Sequence, residues 1–174
     1  MRVREIYNFL NELSPFSLQC EWDNSGLLIG NLNDLVKTIY LSLDIDSQFI
    51  ENVKNDSLII THHPLIFKGL KSLNFSLYPA NLIQKMVQKN ISLISMHTNF
   101  DQTHLNRYVA SDILGYDILS VDKFICYFKA NSSLEEICMN LKQRLDLKQI
   151  RVTVSKTYIN DCAITTGSGG DLIG

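Results

Sequence analysis

The sequence predicts an α/β fold with a mostly parallel sheet, and two observations support this. First, residues 38–43 and 57–60 are strand-like, and the intervening residues 47–55 carry apolar side chains at helical spacing. Such a β-α-β unit implies two parallel strands joined by a right-handed crossover. Second, the strand-like run 91–96 again follows a helical pattern, which indicates a further parallel strand.

The composition is that of an ordinary folded protein. The chain has 174 residues, of which 45% are hydrophobic and 20% charged, and this length suits one sizeable domain or two small lobes. No apolar run approaches the roughly 18 residues of a membrane span, and a net charge of −2 gives no general attraction to nucleic acid or anionic lipid. The N-terminus lacks a signal-peptide pattern and the four cysteines form no CxxC pair, so we expect a cytoplasmic protein.

The N-terminal part of the chain begins with an amphipathic helix over residues 2–13. A polar turn with the only tryptophan follows, and residues 27–30 then resemble a short buried strand. We expect Trp22 to anchor the core, because large aromatic side chains dominate burial. Asp23 and Asn24 are expected to cap the turn.

The rest of the chain continues with alternating helical and strand-like segments. A helix is predicted after Pro79, with Leu82, Ile83, Met86 and Val87 on its buried face. Further predicted elements are a helix over 105–114 ended by Gly115, strands over 119–130, 150–155 and 162–166, and a helix begun by a capping box at Ser133 and Glu136. The predicted lobes are residues 1–118, which carry the metal motifs, and residues 119–174, and we expect the second lobe to be incomplete at its C-terminal end.

Metal-binding side chains follow two of the predicted strands immediately. His62 and His63 come after the run 58–60, and a second motif carrying His97 and Asp101 ends the run from residue 91. The carboxyl ends of parallel strands share one edge of a sheet, where ligands bind in open α/β folds. Imidazoles beside a carboxylate suit one divalent metal ion or two. The plainer alternative is that the histidines are loop residues and that Asp101 caps a helix.

Asp44 ends the first strand of the β-α-β unit and therefore belongs to the same edge. It has two interpretations. It can orient a metal ligand as a neighbouring carboxylate, or it can cap the strand-to-helix turn, and the second interpretation is at least as well supported.

With these motifs in place, the sequence resembles the Nif-three-like dinuclear metal-centre family, whose members are also called GTP cyclohydrolase type 2 homologues or YbgI-like proteins. The resemblance covers essentially the whole chain. Its motifs are WDNSGL at 22–27, THHPLIFK at 61–68, HTNFD at 97–101 and GSGG at 167–170.

The resemblance implies a two-lobed, layered α/β/α fold, a toroidal homohexamer and a pair of divalent ions, with zinc, manganese and iron as candidates. His62 and His63 would each ligate one ion, Asp101 would ligate one as well, and His97 would lie beside the ligands and orient them. Family members supply their remaining ligands from a later His-x-x-x-Glu. The 174 residues contain no such segment, so we expect this chain to hold only part of the ligand set.

The function that this resemblance favours is metal-dependent hydrolysis of a small nucleotide-like or phosphorylated substrate, since paired ions activate water and bind phosphate oxygens. The alternative is a non-catalytic metal-binding oligomer that acts as a scaffold or regulator. A GTP cyclohydrolase activity rests on the family name alone. Nucleic-acid binding is not favoured, because the basic cluster Lys142, Arg144, Lys148 and Arg151 is typical of a solvated helix face.

Overall fold

The fold of the chain was obtained as a computed structural model, which describes residues 1–172. It comprises two compact units, Met1–Phe100 and Asp101–Gly174. Within the described part of the chain, no helix has both the length and the apolar character needed to cross a membrane.

The first unit contains a four-stranded mixed sheet. Its elements are α1 (Val3–Leu13), β1 (Gly26–Ile29), β2 (Thr38–Ser42), α2 (Ser47–Asn52), β3 (Ser57–Thr61), α3 (Ala80–Gln88), β4 (Ser92–Ser95) and the short α4 (Thr98–Phe100). The strand order is β1-β4-β3-β2. β2 pairs with β3 and β3 with β4 in parallel, which confirms the predicted β-α-β unit, whereas β1 runs antiparallel to β4.

Helices cover both faces of this sheet. Successive side chains of a strand point to opposite faces, so β3 and β4 each contribute to two cores, which explains why both read as continuous apolar runs. The core beneath α2 and α3 includes the buried side chains Ile50, Ile59, Leu82, Met86 and Leu93. The core beneath α1 includes Val3, Ile6, Leu10, Leu58 and Ile94. The unit therefore has the expected layered α/β/α arrangement.

The pairing of β1 with β4 depends on a close approach at Gly30. This residue has φ +97°, and a Cβ there would lie 2.8 Å from Cβ of Ser92 and closer still to its hydroxyl oxygen. A larger residue would meet both backbone strain and a clash. At the other end of β1, Gly26 is in register with Ser95. β1 therefore holds the preceding turn, residues 22–25, against the end of β4.

The second unit is built around a three-stranded antiparallel sheet of order β5-β6-β7. It begins with a helical segment that includes two π-helical stretches and is ended by Gly115 at φ +78°. The predicted capping box of Ser133 and Glu136 is confirmed. The elements are the π-helical turns Asp101–Leu105 and Val109–Ile113, α5 (Asn106–Tyr108), β5 (Ile118–Asp122), β6 (Ile125–Ser133), α6 (Leu134–Arg144) and β7 (Tyr158–Ile164).

Three predictions about individual elements were wrong. The strand predicted over 119–130 is two antiparallel strands, β5 and β6, joined by a turn at Lys123 with φ +49°. Residues 150–155 form no strand, although their apolar residues alternate, because those side chains are not buried: Val152 and Val154 are 46% and 67% exposed. Val87 is 64% exposed and so does not belong to the buried face of α3, which presents Leu82 and Met86 to the core. Residues 150–155 and Val87 both continue an apolar sequence pattern into positions that the fold leaves exposed to solvent.

Candidate metal centre

The two histidine motifs leave the sheet at the same edge. β3 and β4 are parallel neighbours, and Thr61 is in register with Ser95. The hydroxyl groups of these two residues share a buried hydrogen bond of 2.8 Å. Because His62 follows Thr61 directly and His97 lies two residues after Ser95, this pairing brings the motifs together, as the sequence predicted.

Three imidazole rings form a cluster at this edge. Ring centroids are 4.9 Å apart for His62 and His63, 5.2 Å for His62 and His97, and 5.7 Å for His63 and His97. One ligand atom from each residue lies within 4.8 Å of the others. Imidazole nitrogen is a common ligand of zinc, iron and related divalent ions. The cluster is therefore a candidate metal-binding site.

Each imidazole is oriented through its Nδ1 atom. That atom lies 2.9 Å from the Met96 carbonyl oxygen in His62, 2.9 Å from Asp44 Oδ1 in His63, and 2.7 Å from Asp23 Oδ1 in His97. Carbonyl and carboxylate oxygens only accept hydrogen bonds, so each Nδ1 is the donor, and in the neutral ring the lone pair is then on Nε2. Histidines that ligate metals in proteins have this arrangement: one ring nitrogen binds the metal and the other donates a hydrogen bond to an oxygen atom. The residues present therefore fit a divalent ion.

Asp23 is the buried support of the cluster. Its side chain is 0% exposed and, besides His97, accepts hydrogen bonds from the backbone N–H of Thr98 at 3.0 Å and from the Thr98 hydroxyl at 2.5 Å. Burial by itself would raise the pKa of Asp23, but the bonds from His97, Thr98 and the Asn24 amide outweigh it and hold that pKa well below its usual value. Asp23 is therefore an ionised carboxylate that fixes the ring of His97.

Sequence reasoning gave Asp23 only a capping role and missed this contact. Aspartate is so common in turns that its presence in one carries little information. The available signal was its place in the WDNSGL motif, which the family resemblance had already singled out.

The prediction that Trp22 anchors the core is wrong, because its side chain is 60% exposed. Asp23 is the residue of this turn that points inward, and the aromatic side chain that is buried near β1 is Phe16, which would contact a Cβ added at Gly26. Trp22 instead stands beside the histidines: its ring centroid is 6.2 Å from that of His97 and 5.8 Å from that of Phe67.

The structure distinguishes the two interpretations of Asp44. The cap of α2 is Asp46, whose carboxylate accepts from the Phe49 N–H at 2.7 Å, while Asp44 contacts His63. Asp44 therefore acts as the neighbouring carboxylate of a candidate ligand.

The ligand roles of His62, His63 and Asp101 and the orienting role of His97 stay predictions. Asp101 is the first residue of the second unit and opens its π-helical turn, and its role as a ligand stays a prediction. His97 was predicted to lie beside the ligands and not to be one. That role also stays a prediction, and its position within the cluster makes direct ligation a second possibility.

Comparison with known proteins gives related sequences across the whole chain. A family model described as Duf34/NIF3 (NGG1p interacting factor 3) matches residues 1–174. A protein of Campylobacter jejuni named GTP cyclohydrolase 1 type 2 homolog is 53% identical over 174 residues, covering 99% of this chain and 72% of the relative. A Helicobacter pylori protein named GTP cyclohydrolase 1 type 2 is 44% identical over 172 residues, covering 98% and 70%.

Solved structures share the fold. The crystal structure of the Staphylococcus aureus hypothetical protein SA1388 superposes with a TM-score of 0.81 at 25% identity, covering 98% of this chain and 73% of that one. The arrangement of elements described above is therefore that of a known group of structures.

Proposed function

Because the chain belongs to the Duf34/NIF3 family, we propose that it is a metal-dependent hydrolase of a small nucleotide-like or phosphorylated substrate. The observation that carries the proposal is the cluster of three imidazole rings from His62, His63 and His97. Each Nδ1 is hydrogen-bonded to an oxygen atom. The names of the Helicobacter and Campylobacter relatives support a nucleotide-like substrate.

The proposed cofactor is a pair of divalent ions, with zinc, manganese and iron as candidates. His62 and His63 would each ligate one ion, together with Asp101. Bound divalent ions supply an activated water as nucleophile and positive charge for phosphate oxygens. The protein's own contribution is orientation: Asp44 and Asp23 accept hydrogen bonds from Nδ1 of His63 and His97, which leaves Nε2 of each ring as the atom that would bind an ion.

Hydrolysis is tested with protein freed of metal by a chelator and then dialysed. We expect p-nitrophenyl phosphate and nucleoside monophosphates to be turned over only after addition of zinc, manganese or iron, with a loss of at least about 100-fold on renewed chelation, because the metal provides the nucleophile. Metal content is measured on the same samples. Stoichiometric metal without any turnover would contradict a hydrolase and favour the scaffold or regulator.

We propose further that the protein forms a homo-oligomer, and specifically the toroidal hexamer that the family resemblance implies. The support for self-association is the edge strand β2, where alternating side chains form an apolar row that reaches solvent. Ile39 and Leu41, with Leu43 just beyond the strand, are 46%, 76% and 66% exposed. An apolar row along an open sheet edge marks a surface that other chains cover.

The assembly prediction concerns Leu41, the most exposed residue of this row. We expect Leu41→Asp to lower the molar mass measured by light scattering from that of six chains to that of a smaller species, because a buried, unpaired charge disfavours the interface. Val87→Asp is the matched control, since Val87 is 64% exposed on α3. An unchanged mass for Leu41→Asp would show that β2 is not an interface.

We also propose a cytoplasmic location. All four cysteines are free thiols in the structure, which suits a reducing compartment. Burial raises the pKa of the Cys126 thiol and, together with the neighbouring Asp161 carboxylate, that of the Cys162 thiol, which favours the thiol form of both.

A further inference from the structure

We propose that Trp22 and Phe67 bind a planar heteroaromatic ring of the substrate, such as a nucleobase, beside the histidine cluster. This pair is called the aromatic corner below. The proposal rests on the proposed function for the identity of the reacting group, but ring binding itself depends only on these two side chains and their supports.

The corner has two exposed aromatic rings close to the candidate metal ligands. Trp22 is 60% exposed and Phe67 41%, and their ring centroids are 5.8 Å apart with the planes inclined at 51°. The two centroids lie 6.2 Å and 6.3 Å from that of His97. Because the rings are inclined and already in contact, a ligand ring does not insert between them. It stacks on one ring and meets the other edge-on, which are the two favourable aromatic geometries.

The backbone that carries the corner is fixed on both sides. The Asn24 side chain donates to the Ile66 carbonyl oxygen at 2.5 Å, which ties the turn after Trp22 to the residue before Phe67. Asp23 is anchored to His97 and Thr98, as described above. Each aromatic residue is therefore adjacent to a residue that is held in place, so the backbone of the corner does not have to be ordered when a ring binds.

The position of the corner defines the class of ligand. A ligand ring stacked there would lie next to His97. A group attached to that ring through a spacer of the length of a sugar would therefore reach the histidine cluster. Lys68 is exposed immediately after Phe67 and adds a positive charge to the same segment, which favours a phosphorylated ligand. These features together fit a nucleotide better than a ring-free sugar phosphate or an aliphatic ester.

Because Trp22 is the only tryptophan, its fluorescence reports on the corner directly. Metal-free protein is titrated with adenosine 5′-monophosphate and, separately, with ribose 5-phosphate as the control without an aromatic ring. We expect saturable quenching by the nucleotide and none by the sugar phosphate. Quenching that does not saturate, or equal binding of ribose 5-phosphate, would overturn the proposal.

Variants test whether both rings contribute. By calorimetry, Trp22→Leu and Phe67→Leu are each expected to bind the nucleotide at least about fivefold more weakly, the lower end of what stacking on one aromatic side chain contributes. Trp22→Phe should recover most of the affinity. Phe9→Leu, which removes a 63% exposed ring from α1, should bind as wild type does. Wild-type affinity in Phe67→Leu would overturn the two-ring corner.

The outcomes separate this proposal from the proposed function. Ring binding by metal-free protein that shows no metal-dependent turnover would support the corner and contradict the hydrolase. Metal-dependent turnover of p-nitrophenyl phosphate without any ring-dependent nucleotide binding would support the hydrolase and contradict the aromatic corner.

Discussion

Replacing both His62 and His63 by alanine is expected to abolish stoichiometric binding of divalent metal. The reason is that two of the three converging imidazoles are removed, and a single remaining histidine holds zinc or manganese only weakly. Metal content after gel filtration and calorimetric titration with zinc measure the effect. We expect affinity to fall by at least about 100-fold, which is more than the loss of an orienting partner causes.

The control for this prediction is His104→Ala, which removes the chain's remaining histidine and should leave the metal content unchanged. His97→Ala then determines the role of that residue. A loss of about 10- to 100-fold in affinity with unchanged stoichiometry is expected if it only orients the ligands, whereas a lower stoichiometry identifies it as a ligand. Full metal content in the double alanine variant would refute the assignment of the site.

Replacing Asp23 by alanine is expected to destabilise the metal-free protein by about 2–3 kcal/mol. The substitution removes a fully buried, charged acceptor and leaves the donors of Thr98 and Asn24 without it, and hydrogen bonds to charged groups are the more costly ones to lose. Urea unfolding measures the free energy of unfolding. Metal affinity should also fall, because His97 loses the partner that fixes its ring.

Asp44→Ala is the matched control for Asp23→Ala. Asp44 makes the same type of contact, to His63, but its side chain is 72% exposed, so we expect the free energy of unfolding to change by less than about 0.5 kcal/mol. Equal destabilisation by the two variants would mean that burial of Asp23 does not carry the effect.

The parallel strands and the convergence of the histidines could be predicted because each rests on a local pattern. The run ending at Ile60 and the one ending at Ser95 are apolar and β-forming, and a helix-length connection fixes their direction. Once both strands are parallel, His62 and His97 must emerge at one edge. The same reasoning placed Asp44 there correctly.

Other features were not encoded locally. The four residues of β1 carry no information about direction, so its antiparallel pairing with β4 could not be read from them. Trp22 was wrongly predicted to be buried because that prediction used the average burial of aromatic residues. The average does not describe a single tryptophan that is exposed beside a polar cluster. The contact of Asp23 with His97 spans 74 positions and depends on that same antiparallel pairing.

The close approach of Gly30 to Ser92 has a consequence for how genetic variants of this protein should be read. Residue 30 bears no metal-binding group, and a variant there would ordinarily be classified as structural. Any side chain at that position pushes β1 away from β4, and β1 is the strand that carries the Asp23 turn to His97. A screen for loss of the proposed metal binding would therefore recover substitutions at Gly30 as well as at the histidines. Such a substitution would reveal the strand that supports the candidate site without identifying a ligand.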